Sequence, residues 1–194
     1  MNLIFATNNI NKAKELQHLV GDSVTIKTLI EIGCLEEIVE NGKTLTENAS
    51  IKSNYVFNHF NMNCFADDTG LLVESLNGEP GIYSARYAGE QKDAGDNMDL
   101  LLKNLSNIKN RRASFMTVIS LKINDKEYFF EGELKGEIAL EKSGNGGFGY
   151  DPIFIPEGYS KSLAELSLDE KNKISHRAKA FNKLKDFLVQ NNIN

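Results

Sequence analysis

Apolar residues fall along this chain in two rhythms, one continuous or alternating and one recurring every three to four positions, and their succession sets the expected elements. Leu3, Ile4, Phe5 and Ala6 make Asn2 to Thr7 a short buried strand, after which Ile10, Ala13, Leu16, Leu19 and Val20 recur at helical spacing. Strand, polar turn and helix follow one another. Thr44, with Glu47 three residues on, forms a capping-box signature ahead of Leu45, Ala49, Ile51, Val56 and Phe60, which predicts a second helix to about His59. Cys64 to Ala66 and Leu71 to Val73 read as strands broken by the polar Asp67, Asp68, Thr69 and Gly70. Met98, Leu101, Leu102 and Leu105 predict a helix over Asp96 to Leu105. From Ala113 to Leu140 the pattern reads as a meander of about three strands, with turns at Asn124-Asp125 and at Gly132 or Gly136. A stripe of Ile174, Ala178, Phe181, Leu184 and Leu188 predicts one terminal helix from roughly Asp169 to Val189. Helices before and after strands indicate an α/β fold with a mixed sheet.

Composition adds few constraints. With 194 residues, 41% hydrophobic and 25% charged, and with no repeat, low-complexity tract or linker, residues 1–194 are expected to form a single domain. A net charge of −5 argues against broad nucleic-acid binding but leaves room for a local cationic pocket. The apolar runs fall short of the ~20 residues of a membrane span, and Met1 leads into a strand-like run without a signal peptide. The expectation is a cytoplasmic protein with neither nucleic-acid nor membrane partners. Cys34 and Cys64, lacking CxxC spacing, are expected as reduced thiols.

Four polar clusters could carry chemistry. Thr7, Asn8, Asn9 and Lys12 occupy the first strand-to-helix turn, where free N–H groups and the helix dipole favour an anion; an N-cap beside a solvated lysine is the structural alternative. Asp67 and Asp68 are adjacent at the end of an apolar strand, so their side chains point to opposite faces. Hard oxygens in such a place suit Mg2+, although a turn built by Asp and Gly fits the same residues. Gly144 to Pro152 packs four glycines into six positions around Phe148 and Tyr150, which allows either close backbone approach to a ligand with flat faces for a base, or a flexible hairpin. Lys171, Ser175, His176 and Arg177 gather basic groups near the start of the terminal helix, where a solvated basic face is the plain explanation. His18, His59 and His176 lack metal-ligand spacing.

Taken in order, Thr7-Asn8-Asn9-Ile10-Asn11-Lys12, Glu47-Asn48-Ala49, Ala66-Asp67-Asp68-Thr69-Gly70, Pro80-Gly81-Ile82-Tyr83-Ser84-Ala85-Arg86-Tyr87, Gly146-Gly147-Phe148-Gly149-Tyr150-Asp151-Pro152 and Ser175-His176-Arg177 resemble the inosine triphosphate pyrophosphatase family, which acts on dITP, ITP and XTP. The resemblance covers essentially the whole chain. It implies an elongated mixed β-sheet flanked by helices, two lobes with a central cleft, a homodimer and Mg2+ as cofactor. It also implies that residues 7–12 (Thr7, Asn8, Asn9, Ile10, Asn11, Lys12) and Lys52 hold the triphosphate, and that Asp68 is the proton acceptor. Asp68 and Glu40 would be the metal ligands, and Thr69 would touch the substrate. Phe148, Gly149, Tyr150 and Asp151 would surround the base, with Lys171, His176 and Arg177 completing its pocket. Asn8 stands where glycine is usual and Thr69 where serine is usual; the second change keeps the hydroxyl. A Maf-type pyrophosphatase acting on modified or pyrimidine nucleotides, and a nucleotide-binding regulator without catalysis, are the competing readings.

Overall fold

The computed structural model describes residues 2–20 and 25–192, so expectations for Met1 and for the side chains of Leu3 and Val20 fall outside the described residues. The elements run β1 (Asn2–Phe5), α1 (Ile10–Val20), β2 (Thr25–Lys27), α2 (Leu45–Phe60), β3 (Cys64–Val73), β4 (Pro80–Gly81), α3 (Ala94–Asn104), β5 (Arg112–Ile123), β6 (Lys126–Ile138), β7 (Phe154–Pro156), α4 (Leu168–Ile174) and α5 (His176–Gln190). The strands form one sheet in the order β2-β1-β3-β5-β6-β7, with β4 paired to β3. β1 lies parallel to β2 and β3, whereas β4 on β3 and β7 on β6 are antiparallel. The fold is α/β, with a mixed sheet flanked by helices.

Two compact units divide the chain. The first comprises Met1–Asp68, Thr117–Gly132 and Arg177–Asn194, and the second Thr69–Met116 and Glu133–His176. In the first, the continuous apolar runs of β1 and β3 are buried on both faces, as a strand covered from two sides requires. Phe5 and Phe65 stack at 4.6 Å and pack with Leu16 of α1 and Phe181, Leu184 and Leu188 of α5. Their neighbours Ile4, Ala6, Cys64 and Ala66 face the other way, against Val56 of α2 and the segment carrying Leu29, Cys34 and Ile38. The second unit has its own core, built from Leu71 and Val73, Met98 and Leu101 of α3, Phe115, Ile138, Phe154 and Leu163.

The helix signals near Thr44 hold: Thr44 caps α2, its side chain accepting from the Glu47 N–H. Three expectations need correction. β3 runs unbroken through Asp67 to Gly70, because both carboxylates find cations on the flanking helices and the ladder continues. The expected meander is a pair of long strands, β5 and β6, turning at Asn124-Asp125, both with positive φ as a two-residue hairpin requires. Gly132 and Gly136 lie inside β6; a Cβ on Gly136 would stand 2.2 Å from the Ile155 carbonyl oxygen, so this glycine permits close approach of β7 and does not make a turn. The terminal helix is two helices, parted at Ser175, whose backbone is extended. The stripe concealed the break because Ile174 packs on the second core while Phe181 and Leu184 belong to the first. Cys34 and Cys64 are free and buried. Among the described residues no helix is long and apolar enough to cross a membrane.

Candidate active site

Strand parity decides what the adjacent aspartates do. Side chains alternate along β3, so Asp67 shares the face of Phe65, towards α1 and α5, and Asp68 shares the face of Ala66, towards α2.

Asp67 is 1% exposed and lies between two cations, Lys12 Nζ donating to its Oδ1 at 2.9 Å and Arg177 Nε to its Oδ2 at 3.4 Å. Arg177 also donates from Nη1 to Glu15 Oε2, one turn along α1 from Lys12. Burial by itself would raise the Asp67 carboxyl, but Lys12 and Arg177 outweigh it and hold the group well below the usual carboxylate range. Burial lowers Lys12, with Asp67 opposing, while Arg177 is pushed up because Asp67 and Glu15 more than offset its burial.

Asp68 meets a different set. Asn48 Nδ2 donates to its Oδ2 at 3.1 Å, and Lys52 Nζ stands 3.8 Å from its Oδ1. Lys52 also donates to Glu40 Oε2 at 2.8 Å, so one ammonium is shared by two carboxylates. Asn48 and Lys52 are one turn apart on α2 and therefore project from the same face. Burial raises the Asp68 carboxyl above its ordinary value, a shift that Lys52 and Lys12 reduce without cancelling. Lys52 moves up, since Asp68 and Glu40 outweigh its burial.

The turn before α1 combines both readings of its sequence. Asn9 caps the helix, its Oδ1 accepting from the N–H groups of Asn11 and Lys12, and Thr7 Oγ1 accepts from the Asn9 N–H. Lys12, however, is engaged by Asp67 and is not a solvated lysine. Thr7 is buried, whereas Asn8, Asn9, Ile10 and Asn11 are exposed.

In the second unit Asp151 organises the glycine loop. Its Oδ2 accepts from the Phe148 N–H at 2.8 Å and from Lys171 Nζ at 2.6 Å, and that ammonium lies 4.9 Å from the centroid of the half-buried Phe148 ring. A Cβ on Gly147 would fall 2.1 Å from Asp151 Oδ2, so this loop is shaped around a buried carboxylate and is no free hairpin. Gly149, half-buried with positive φ, continues the loop. Tyr150 belongs to the core, donating its hydroxyl to the Ser84 carbonyl. His176 is 4% exposed and stacks on Phe115 at 4.6 Å. Thr69 is half-buried on β3.

The structure thus joins Lys12 to Asp67 and Arg177, Lys52 to Asp68 and Glu40, and Lys171 to Asp151 and Phe148. Arg177, grouped in sequence with Lys171 and His176, directs its guanidinium to Asp67 and Glu15 in the first unit. The sequence assigned no role to Glu15, nor to Asn48 beyond its place in the Glu47-Asn48-Ala49 segment, although Glu15 lies three residues after Lys12 and Asn48 four before Lys52, the spacings that put helical side chains on one face. Among the described residues no group of three or more His, Cys, Asp or Glu could hold a metal ion. Two carboxylates gathered around one positive charge are nonetheless a donor set suited to Mg2+, which takes one or two acids and completes its shell with water and phosphate oxygens.

The fold is α/β, with carboxylates and lysines gathered about the middle of β3. This chain belongs to the Ham1 family, which matches residues 3–187. It is 54% identical over 189 residues to the dITP/XTP pyrophosphatase of Flavobacterium johnsoniae, covering 97% of this chain and 98% of that protein. It is also similar in structure to the Ham1 protein of Staphylococcus aureus, with a TM-score of 0.89 at 42% identity over 98% of this chain and 100% of the other. A third likeness is to the nucleoside-triphosphatase / dITP/XTP pyrophosphatase of Mycobacterium abscessus, with a TM-score of 0.77 at 38% identity over 95% of this chain and 98% of that one.

Proposed function

We propose that the chain hydrolyses the non-standard purine nucleotides dITP, ITP and XTP to the nucleoside monophosphate and pyrophosphate, with Mg2+ as cofactor. The observation that carries the reading is the sharing of Lys52 by Asp68 and Glu40, beside the cation Lys12. The substrate choice is supported by the likeness to the dITP/XTP pyrophosphatases of Flavobacterium johnsoniae and Mycobacterium abscessus.

A nucleoside triphosphate carries about four negative charges, and displacement at its α-phosphorus needs those charges neutralised while a base activates water. Lys12 and Lys52 meet the phosphate oxygens. Asp68 and Glu40 would hold Mg2+, which when bound would add charge neutralisation and acidify a water molecule. Asp68 orients the attacking water and takes its proton. Thr7, Asn8, Asn9, Ile10 and Asn11 line the triphosphate, and Thr69 adds a hydroxyl contact. Phe148, Gly149, Tyr150 and Asp151 surround the base, with Phe148 offering the flat face. Lys171, His176 and Arg177 supply donors that suit the 6-keto group of hypoxanthine and xanthine and leave adenine unmatched. The enzyme acts in the cytoplasm as a homodimer on free nucleotide, without nucleic-acid or membrane partners.

The test is release of pyrophosphate versus phosphate from dITP, ITP, XTP, GTP, ATP and modified pyrimidine triphosphates, with and without Mg2+. Pyrophosphate from the first three far above ATP is expected. Equal rates for ITP and ATP, or preference for pyrimidines, overturn the purine reading, and no turnover of any nucleotide leaves a binding protein.

A further inference from the structure

Asn48 is 2% exposed and uses both ends of its amide. Its Oδ1 accepts from the Gly42 N–H at 2.9 Å, and its Nδ2 donates to Asp68 Oδ2 at 3.1 Å. Because a backbone N–H can only donate, the amide oxygen must face Gly42, which leaves the nitrogen for Asp68. The orientation is therefore fixed by chemistry. Gly42 is pressed against this side chain, and a Cβ there would lie 2.7 Å from Asn48 Oδ1 and 2.7 Å from Glu47 Cβ. Glu40 lies two residues before Gly42 on the same loop. A closed ring results: Asp68 to Asn48, Asn48 to Gly42, along the loop to Glu40, Glu40 to Lys52, and Lys52 back to Asp68.

The two halves of that ring differ in kind. Lys52 draws the carboxylates together by charge, and any divalent cation bound there competes with its ammonium for the same oxygens. Asn48 makes neutral-amide contacts and leaves Asp68 Oδ1 and the Glu40 carboxylate outside its hydrogen bonds. It can therefore keep its grip while the charge between the acids changes hands.

We propose that Asn48 is a positioning residue that sets the spacing between Asp68 and the Glu40 loop, preorganising the pair for a divalent cation when Lys52 yields to it. The inference rests on the reading of Asp68 and Glu40 as the cation site. Partners that hold a ligating carboxylate typically contribute 10- to 100-fold to metal affinity, and Asn48 is expected to fall in that roughly 10- to 100-fold range.

The experiment measures Mn2+ binding by electron paramagnetic resonance on the full chain without nucleotide, for the wild type, Asn48→Ala and Gly42→Ala. Kinetics of pyrophosphate release from dITP at saturating Mg2+ run alongside. Asn48→Ala is expected to weaken Mn2+ about tenfold or more and to raise the Mg2+ needed for half-maximal turnover, with nucleotide binding in EDTA unchanged. Gly42→Ala pushes on the same amide from the other side without changing the chemistry of Asn48 or of either carboxylate, and should shift Mn2+ affinity in the same direction. It decides the matter if Asn48→Ala does not fold. A folded Asn48→Ala that binds Mn2+ as tightly as the wild type overturns the inference and leaves the proposed function standing. Normal Mn2+ binding by the wild type, weakened by the substitutions but without hydrolysis of any nucleotide, overturns the function alone. Failure of the wild type to bind Mn2+ overturns the inference together with the cation site.

Discussion

Asp67 and Asp68 are neighbours in sequence, identical in chemistry and opposite in circumstance. Asp67 faces α1 and α5, is enclosed between Lys12 and Arg177, and is held ionised well below the usual carboxylate range, where burial is outweighed by those cations. Asp68 faces α2, is pushed up by burial against incomplete compensation, and shares its lysine with a second acid. One alternation of the strand separates a carboxylate whose charge is used up in structure from one whose charge is open to exchange. A buried, paired acid is expensive to remove but a poor base. Asp68, the acid that shares its lysine with Glu40, is the one proposed to take a proton.

The sharpest way to break that contrast is to remove the charge of the enclosed partner. Asp67→Asn leaves Arg177 and Lys12 facing a neutral amide, and breaking a buried pair costs about 3–5 kcal/mol, read as a lower urea midpoint. Stability equal to the wild type would mean that the Asp67 network is not structural. A smaller effect is expected at the lysines: Lys52→Ala and Lys12→Ala should each reduce kcat/KM about 10- to 100-fold for every triphosphate, the scale of one charge-assisted contact of ~1.5–3 kcal/mol. The ITP to ATP preference should stay constant, and a change in that ratio would move the altered lysine to the base. The smallest effect concerns Glu127, which accepts from Ser120 Oγ at 2.7 Å and Asn54 Nδ2 at 3.2 Å and thereby ties β6 to β5 and α2. Burial raises this carboxyl, but hydrogen bonds from Ser50, Ser120 and Asn54 bring it below the ordinary glutamate range. A depressed folded-state pKa stabilises above the ordinary range and loses that contribution as pH falls through it. Glu127→Gln should therefore cost about 1 kcal/mol near neutrality, and the difference from wild type should shrink on acidification. A gap that is constant with pH would contradict the assignment.

Much of this was legible from the residues. The apolar runs of β1 and β3, the Thr44 cap and the opposite facing of the two aspartates follow from period and local hydrogen bonding, and the structure agrees with each. What escaped depends on partners distant in sequence. Polar Asp67 to Gly70 looked like a strand break because the cations that satisfy the acids lie on α1, α2 and α5. Gly136 looked like a turn because nothing local announces the Ile155 carbonyl. Ser175 broke the last helix without disturbing its stripe, since a single extended residue leaves the apolar spacing almost intact. Within the site, Lys12 was found by its place in the strand-to-helix turn and Lys52 through the family resemblance, but Glu15 and Asn48 acquire meaning only once Arg177, Gly42 and Asp68 are placed beside them.

The claim that Asp68 is the group that does chemistry is tested most directly by the turnover of Asp68→Asn with dITP and saturating Mg2+, on protein shown to be folded by its urea midpoint. Removing a general base predicts a loss in kcat of ~10²-fold or more, with the fold and much of the nucleotide affinity kept. Near-normal turnover in that variant would contradict the account and move the proton acceptor to another acid, Glu40 or Asp67.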